Sequence, residues 1–158
     1  MTQEILCYNL FMLYEIDLIF LRFFKKIQIP ASRIAIFVIF FWFGILKVLG
    51  FSPAEGLVKE LLLNTIPFMS PSTFVVLFGL FEMLIGTMFL IKGLEREVIP
   101  LLAFHMVTTF MPLVYLPSVT WTQAFVPTLE GQYIIKNLVI IATAIGIAAN
   151  LHPIKHKS

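Results

Sequence analysis

Four long apolar runs are the feature that most restricts how this chain can fold. They cover residues 33–51, 73–91, 98–116 and 132–150. A helix needs about 20 apolar residues to cross the hydrocarbon layer of a bilayer. Inside that layer, only helices and closed barrels satisfy their own backbone polar groups. The pattern predicts an all-α, polytopic membrane four-helix bundle over residues 31–151, followed by a short tail at 152–158.

The composition agrees with a membrane protein and argues against a soluble one. Hydrophobic residues make up 59% of the chain and charged residues 13%, and the mean hydropathy is +0.97. Soluble domains carry roughly 25% charged residues. The net charge of +2 is too small and too dispersed to indicate nucleic acid binding, so the expected partner is the lipid bilayer. Cys7 is the single cysteine, which excludes a disulfide within the chain and a CxxC pair.

Residues 1–30 carry a different pattern. No basic residue precedes the apolar stretch, and Glu15 and Asp17 interrupt it, so a cleaved signal peptide is not expected. On a helix, five charged side chains share one sector while Leu, Phe, Ile and Tyr cover most of the rest. The five are Glu4, Glu15, Arg22, Lys25 and Lys26. This predicts an N-terminal amphipathic helix that lies in the membrane interface, and a fifth span is the alternative.

Basic residues near the span ends predict the orientation. Arg22, Lys25, Lys26, Arg33, Lys92, Arg96, Lys155 and Lys157 all fall on one side of the predicted spans. Only Lys59 falls beside the spans on the other side. Because cytoplasmic loops carry an excess of Lys and Arg, both termini are predicted to be cytoplasmic.

Each span holds one ionisable side chain at a deep position. With a rise of about 1.5 Å per residue, Glu82 and His105 fall near the bilayer midplane, and Lys47 and Lys136 start roughly 7 Å outward of it. A charge at the bilayer centre costs about 2.5–3.5 kcal/mol, so such residues usually face the bundle interior and pair. These four residues therefore form a candidate intramembrane polar cluster, in which Glu82 pairs with Lys47 or Lys136.

Simpler interpretations of the same residues stay open. Lys47 and Lys136 can each extend along apolar surface to the headgroups. His105 can be a neutral core histidine, and the pair formed by Glu82 can serve only to hold the bundle together. One His and one Glu on separate helices are not a metal ligand set, so no metal is predicted. No residue is assigned a catalytic role.

Three short motifs also carry a resemblance to a known family. They are the WFGxLK ending of the first span, the Glu with flanking glycines in the second, and the Gly-x4-Lys-Asn start of the fourth. They stand in "FVIFFWFGILKVLG", "GLFEMLIGTMFLI" and "PTLEGQYIIKNLVIIATA". In order and spacing they resemble the DoxX-like family of small four-helix membrane proteins, particularly the branch related to reactive chlorine resistance protein C. The resemblance covers residues 33–149.

The resemblance implies a bacterial inner-membrane protein with redox or oxidative-stress associations, because some relatives are subunits of a thiosulfate:quinone oxidoreductase. It implies Lys47, Glu82 and Lys136 as matching polar positions, and Asn137 joins the candidate ligand-binding cluster. A quinone headgroup is the candidate ligand, and oxidoreductase subunits or a second copy are the candidate partners. The N-terminal helix is not shared by shorter family members.

Two functions follow as expectations. In the first, the polar cluster opens outward and binds a small redox-active molecule, with Glu82 or His105 exchanging protons. In the second, the protein is a non-catalytic membrane partner or transport component, and a larger complex does the chemistry. The sequence contains no CxxC pair, haem ligand pair or nucleotide-binding segment, so the chain is not expected to catalyse a redox reaction on its own. This favours the second function.

Overall fold

The computed structural model describes the backbone of residues 2–65 and 68–153, and the side chains within those ranges from residue 12 onward. Helices dominate this part of the chain. In order, its elements are α1 (Thr2–Val48), α2 (Glu55–Thr65), α3 (Pro71–Leu90), α4 (Glu95–Phe110), α5 (Pro112–Tyr115), α6 (Pro117–Thr120), β1 (Trp121–Gln123), β2 (Val126–Pro127), α7 (Leu129–Lys136) and α8 (Leu138–Ala148).

Within the described residues, four helical segments are long and apolar enough to cross a membrane. They are Met12–Val48, Pro71–Leu90, Glu95–Tyr115 and Leu129–Ala148. The last three agree with the predicted spans to within a few residues at each end. The all-α helical bundle expected from the apolar runs is therefore confirmed at this level. Residues 154–158 of the predicted tail, with Lys155 and Lys157, lie outside the described residues.

The first helix differs from its predicted boundary. We expected a separate N-terminal helix over residues 1–30, but α1 continues without a break from Thr2 to Val48, with Pro30 inside it. A proline inside a helix removes one hydrogen bond, here to the Lys26 carbonyl, and such a helix can kink rather than end. The predicted placement of this segment in the membrane interface stays a prediction.

Two glycines bring α1 and α3 together. A Cβ atom at Gly44 would lie 2.6 Å from the Gly79 carbonyl oxygen, and a Cβ atom at Gly79 would lie 2.6 Å from that of Gly44. Only glycine fits at both positions, and small residues of this kind let membrane helices approach closely. The contact runs antiparallel, because Arg33 of α1 meets Phe89 of α3 at the opposite end of the same interface.

One hydrophobic core joins the four long segments. Its buried side chains come from α1, α3, α4 and α8. They are Ile36, Phe40, Ile85, Phe89, Val98, Leu102, Met106, Ala144 and Ile147. Burial of these side chains on all four helices fixes how each helix is rotated about its own axis. The rotation in turn decides which polar side chains point inward.

Two connections lie at the end of the bundle away from Arg33. The first contains α2. The second contains α6 and an antiparallel pairing of β1 with β2. Thr128 fixes this region, because its hydroxyl donates to the Val119 carbonyl (2.7 Å) and accepts from the Gly131 amide at the start of α7 (3.2 Å).

Candidate functional site

Lys47, Glu82 and His105 meet in the interior of the bundle. The Lys47 ammonium donates to both carboxylate oxygens of Glu82, at 2.9 Å to Oε1 and 2.7 Å to Oε2. His105 Nε2 lies 3.2 Å from Glu82 Oε1. The three residues are 6%, 6% and 4% exposed. We call this group the triad, and it links α1, α3 and α4 through a single carboxylate.

The helices place each member of the triad for a local reason. Lys47 occupies the last turn of α1, where a positive charge interacts favourably with the helix dipole. Glu82 follows Gly79 by one turn on the same face of α3. A Cβ atom at Gly79 would lie 2.8 Å from Lys47 Cβ, so the glycine makes room for the lysine stem. The close approach of the two helices therefore positions the ammonium against the carboxylate.

Aromatic rings enclose the triad. The Phe78 ring stacks on the His105 ring with centroids 4.8 Å apart, and the Phe40 ring meets it edge-on at 5.0 Å. Phe81 lies at 6.1 Å on a further side. The Lys47 ammonium lies 5.8 Å from the centroid of the Phe78 ring. Low-dielectric surroundings of this kind strengthen the attraction between opposite charges, and they make an unpaired charge costly.

Two threonines extend the hydrogen bonding from His105. The hydroxyls of Thr108 and Thr109 donate to the His105 carbonyl, at 2.7 and 2.9 Å. Thr109 Oγ1 also lies 3.2 Å from His105 Nδ1. A hydroxyl can accept from a protonated Nδ1 while it donates to the carbonyl, or it can rotate and donate to an unprotonated Nδ1. The site can therefore hold His105 in either protonation state with its ring nitrogens bonded.

Neither Lys136 nor Asn137 forms a hydrogen bond or an ion pair with the triad. Lys136 is exposed, and its ammonium lies 5.0 Å from the Tyr133 ring centroid in a cation–π contact. The Asn137 amide donates back to the carbonyls of Tyr133 and Ile134 at 3.1 Å each. Because α7 buries Ile134, a residue two positions later points to the other side of the helix. Of the lysines on the first and fourth spans, only Lys47 contacts Glu82.

A second ion pair, which is partly buried, was not predicted. Arg33 Nε donates to the Phe89 carbonyl at 2.7 Å, and its Nη1 forms an ion pair with Glu95. The other Glu95 oxygen accepts from the Gly93 amide at 2.8 Å. Arg33 Nη2 is buried with no hydrogen-bond partner among the described residues. The sequence offered only a weak signal, since Arg33 and Glu95 both resemble the charged residues that commonly flank spans.

An open groove of about 490 Å³ runs along α4 and α5, with one lining residue from α8. Its lining is almost wholly apolar and includes Met106, Val107, Phe110, Met111, Tyr115 and Ile141. Met106 and Phe110 are close in sequence to His105 and Thr109, but none of the triad residues lines the groove.

In the described part of the chain, no group of three or more His, Cys, Asp or Glu side chains is placed to hold a metal ion.

Comparison with known proteins identifies no relative. No family model matches the chain, and no curated protein and no solved structure matches it either. The resemblance to DoxX-like proteins therefore rests on the three sequence motifs alone.

Proposed function

We propose that this chain is a non-catalytic integral membrane component that assembles with a larger membrane complex, and that the triad fixes the packing of α1, α3 and α4. The observation that carries this proposal is the enclosure of the triad. Glu82 accepts from Lys47 at both oxygens, and His105 fills the remaining approach to Oε1. Phenylalanine rings cover the group, so its polar atoms are used within the protein.

An enclosed ion pair of this kind suits a role in helix arrangement. Burying a charge pair costs desolvation, which its own attraction only partly returns, so such a pair adds little net stability. It does disfavour every alternative packing that would leave Glu82 or Lys47 alone in hydrocarbon. We infer that the triad specifies one rotation and one depth for each of its helices, and that this defined surface is what a partner recognises.

The proposal extends to family and location. The order of the WFGxLK motif, Glu82 and the Lys136–Asn137 pair supports membership of the DoxX-like family, and with it a redox-associated role in a bacterial inner membrane. Arg33 pairs with Glu95, which lies between Lys92 and Arg96 in the sequence. The three basic residues therefore lie at one end of the bundle. That grouping supports cytoplasmic termini by the excess of basic residues on the inner side.

A second candidate function is binding of a quinone with proton exchange at His105. The observation that favours it is the contact between His105 Nδ1 and the partly buried Thr109 hydroxyl, which suits either protonation state of the ring. In this case Glu82 or His105 exchanges a proton with a headgroup that approaches from the side of Thr109, when an oxidoreductase partner supplies electrons to the quinone or removes them. Because the charges of Lys47 and Glu82 cancel, protonation of His105 would add a single positive charge to the site.

Purification from native membranes in a mild detergent separates the two candidates. The packing proposal expects a second protein at fixed stoichiometry and no bound quinone in the lipid extract. The double variant Lys47→Met/Glu82→Gln is the matched test, because it removes both charges and keeps similar volumes. If the triad specifies the surface that the partner recognises, this variant should copurify with less of the partner than wild type does. A stoichiometric quinone that is lost in the double variant, without a copurifying partner, would replace the packing proposal with the second candidate.

A further inference from the structure

The N-terminal half of α1 stands apart from the bundle. We call residues 12–26 the arm. Every residue of the arm is exposed except Leu18, which is half-buried. Nine large apolar side chains of the arm are between 47% and 65% exposed: Met12, Leu13, Tyr14, Ile16, Ile19, Phe20, Leu21, Phe23 and Phe24. An apolar surface of this extent normally marks a binding surface or contact with lipid.

The length of α1 places the arm beyond the packed bundle. The helix has 47 residues and is about 70 Å long, whereas the hydrocarbon layer is about 30 Å thick. Packing of α1 against the core reaches back to Ile29, and Arg33 bonds Phe89 of α3. Lys26 lies seven residues earlier, which is about 10 Å farther along the helix. If Arg33 lies near the edge of the hydrocarbon, the basic end of the arm falls in the headgroup layer.

Charge is distributed along the arm in a particular order. The three basic residues Arg22, Lys25 and Lys26 are exposed and lie in the part nearest the bundle, while Glu15 and Asp17 lie farther out. Lys92 and Arg96 are exposed at the same end of the bundle. The arm therefore meets the bundle at a region of net positive charge, where Glu95 is paired with Arg33 and Glu97 is the exposed acid.

The arm also has an apolar stripe on its other side. Ile16, Phe20 and Phe23 follow the i, i+4, i+7 spacing of one helix face. Arg22 and Lys26 fall outside this stripe by the same helical geometry. Helices with an apolar face and flanking basic residues bind the surface of anionic membranes, and their affinity depends on both features.

We propose that the arm is a binding site for anionic phospholipid headgroups, in which Arg22, Lys25 and Lys26 contact the phosphates and the Ile16–Phe20–Phe23 stripe enters the acyl boundary. Pro30 is the position at which α1 can bend toward the membrane plane, because it cannot donate to the Lys26 carbonyl. This inference is independent of whether the triad acts in packing or in proton exchange.

A second copy of the chain is the competing way to cover the arm. Two copies inserted in the same orientation would bring their arms together in parallel. Arg22, Lys25 and Lys26 would then lie beside the same residues of the other copy, and like charges at close distance repel. Anionic headgroups avoid that repulsion, so the charge of the arm favours lipid.

The test uses the full chain in detergent, titrated with phosphatidylglycerol or with phosphatidylcholine and followed by native mass spectrometry. The test variant is Lys25→Gln/Lys26→Gln, and the matched control is Lys59→Gln/Lys136→Gln, which removes the same charge at the other end. Wild type should bind phosphatidylglycerol more tightly than phosphatidylcholine. A juxtamembrane lysine contributes about fivefold in affinity for an anionic surface, so the test variant should lose on the order of tenfold or more. The control should change less than twofold.

A second measurement reports on the stripe. Phe23→Cys, labelled with a polarity-sensitive fluorophore in a Cys7→Ser background, should shift to the blue in vesicles with 30% phosphatidylglycerol relative to pure phosphatidylcholine. The proposal is overturned if wild type binds both lipids equally, or if the two double variants lose affinity equally. It is also overturned if the test variant changes the oligomeric mass and not lipid binding, because the arm would then contact a second copy.

Discussion

Among the residues that the structure describes, one buried and one partly buried ion pair both begin on α1, and they satisfy their charges by different means. In the bundle interior, Lys47 gives Glu82 two hydrogen bonds and His105 lies against one of the same oxygens. At the end of the bundle that holds Arg33, here called the basic end, Glu95 bonds Arg33 and also accepts from the Gly93 backbone amide. Arg33 also donates to a backbone carbonyl. The Glu82 carboxylate is therefore stabilised by side chains, whereas the Glu95 carboxylate is bonded by both a side chain and the backbone.

The difference follows from where helices have free backbone groups. In the middle of a span every amide and carbonyl is used within the helix, so only another side chain can stabilise a charge. At helix ends, amides and carbonyls are left without partners in the helix and can bond a charged side chain. Removal of one partner should therefore be more damaging in the triad than at the basic end, and the variants below test that ranking.

The largest effect is expected for Lys47→Met. It leaves the Glu82 carboxylate buried without its cation, which typically costs about 3–5 kcal/mol. Thermal or denaturant unfolding of the purified protein in detergent measures the loss. The double variant Lys47→Met/Glu82→Gln should recover much of it, because no charge is then left alone. Additive losses in the double variant would show that the two groups are not energetically coupled.

Gly79→Ala should follow, at about 3 kcal/mol. The new methyl would lie 2.6 Å from the Gly44 carbonyl oxygen and 2.8 Å from Lys47 Cβ, so α1 and α3 must separate. That separation also lengthens the contact between the ammonium and Glu82. Gly56→Ala is the control, because no atom lies within 4 Å of the position and the helix α2 accepts alanine. Equal unfolding free energies for the two alanine variants would contradict the close contact.

The spans and the triad also show how much of the structure the sequence can predict. The spans follow from apolar runs whose length must match the bilayer, and the inward direction of Glu82 follows from the cost of a charge in lipid. Both are local properties of single segments. The pairing of Glu82 with a cation could be predicted for the same reason, but the choice between Lys47 and Lys136 could not.

That choice depends on the rotation of α7, which residues far from the lysine determine. Thr128 bonds Val119 and caps α7 at Gly131, and Ile134 is buried on the inward face. No periodicity within the fourth span contains this information. The continuity of α1 through Pro30 and the pairing of Arg33 with Glu95 were missed for a related reason, since each depends on how helices meet rather than on one segment.

Arg33→Met should be less damaging than Lys47→Met, with a loss of about 2 kcal/mol. Glu95 keeps the Gly93 amide, and a helix end near the headgroups admits water to the remaining carboxylate oxygen. Glu95→Gln should cost a similar amount, because its single amide oxygen can replace the acceptor for Arg33 or for Gly93 but not both, and the Arg33 charge loses its counter-ion. Unfolding in the same detergent ranks the three variants. A loss for Arg33→Met equal to that for Lys47→Met would show that the backbone contacts of Glu95 do not compensate.

The smallest effect is expected for Lys136→Met, within about 0.5 kcal/mol of wild type. Lys136 is exposed and forms no ion pair among the described residues, and its cation–π contact with the Tyr133 ring is worth about 0.5 kcal/mol at an exposed site. Its loss should also be additive with Glu82→Gln, since residues without a shared contact do not couple. The reference is Lys47→Met combined with Glu82→Gln, for which the two losses should not be additive. A large loss for Lys136→Met that Glu82→Gln removes would mean that Lys136 reaches Glu82 in the folded protein. The acid would then alternate between two cations, and the enclosure of the triad, on which the packing role rests, would have to be given up.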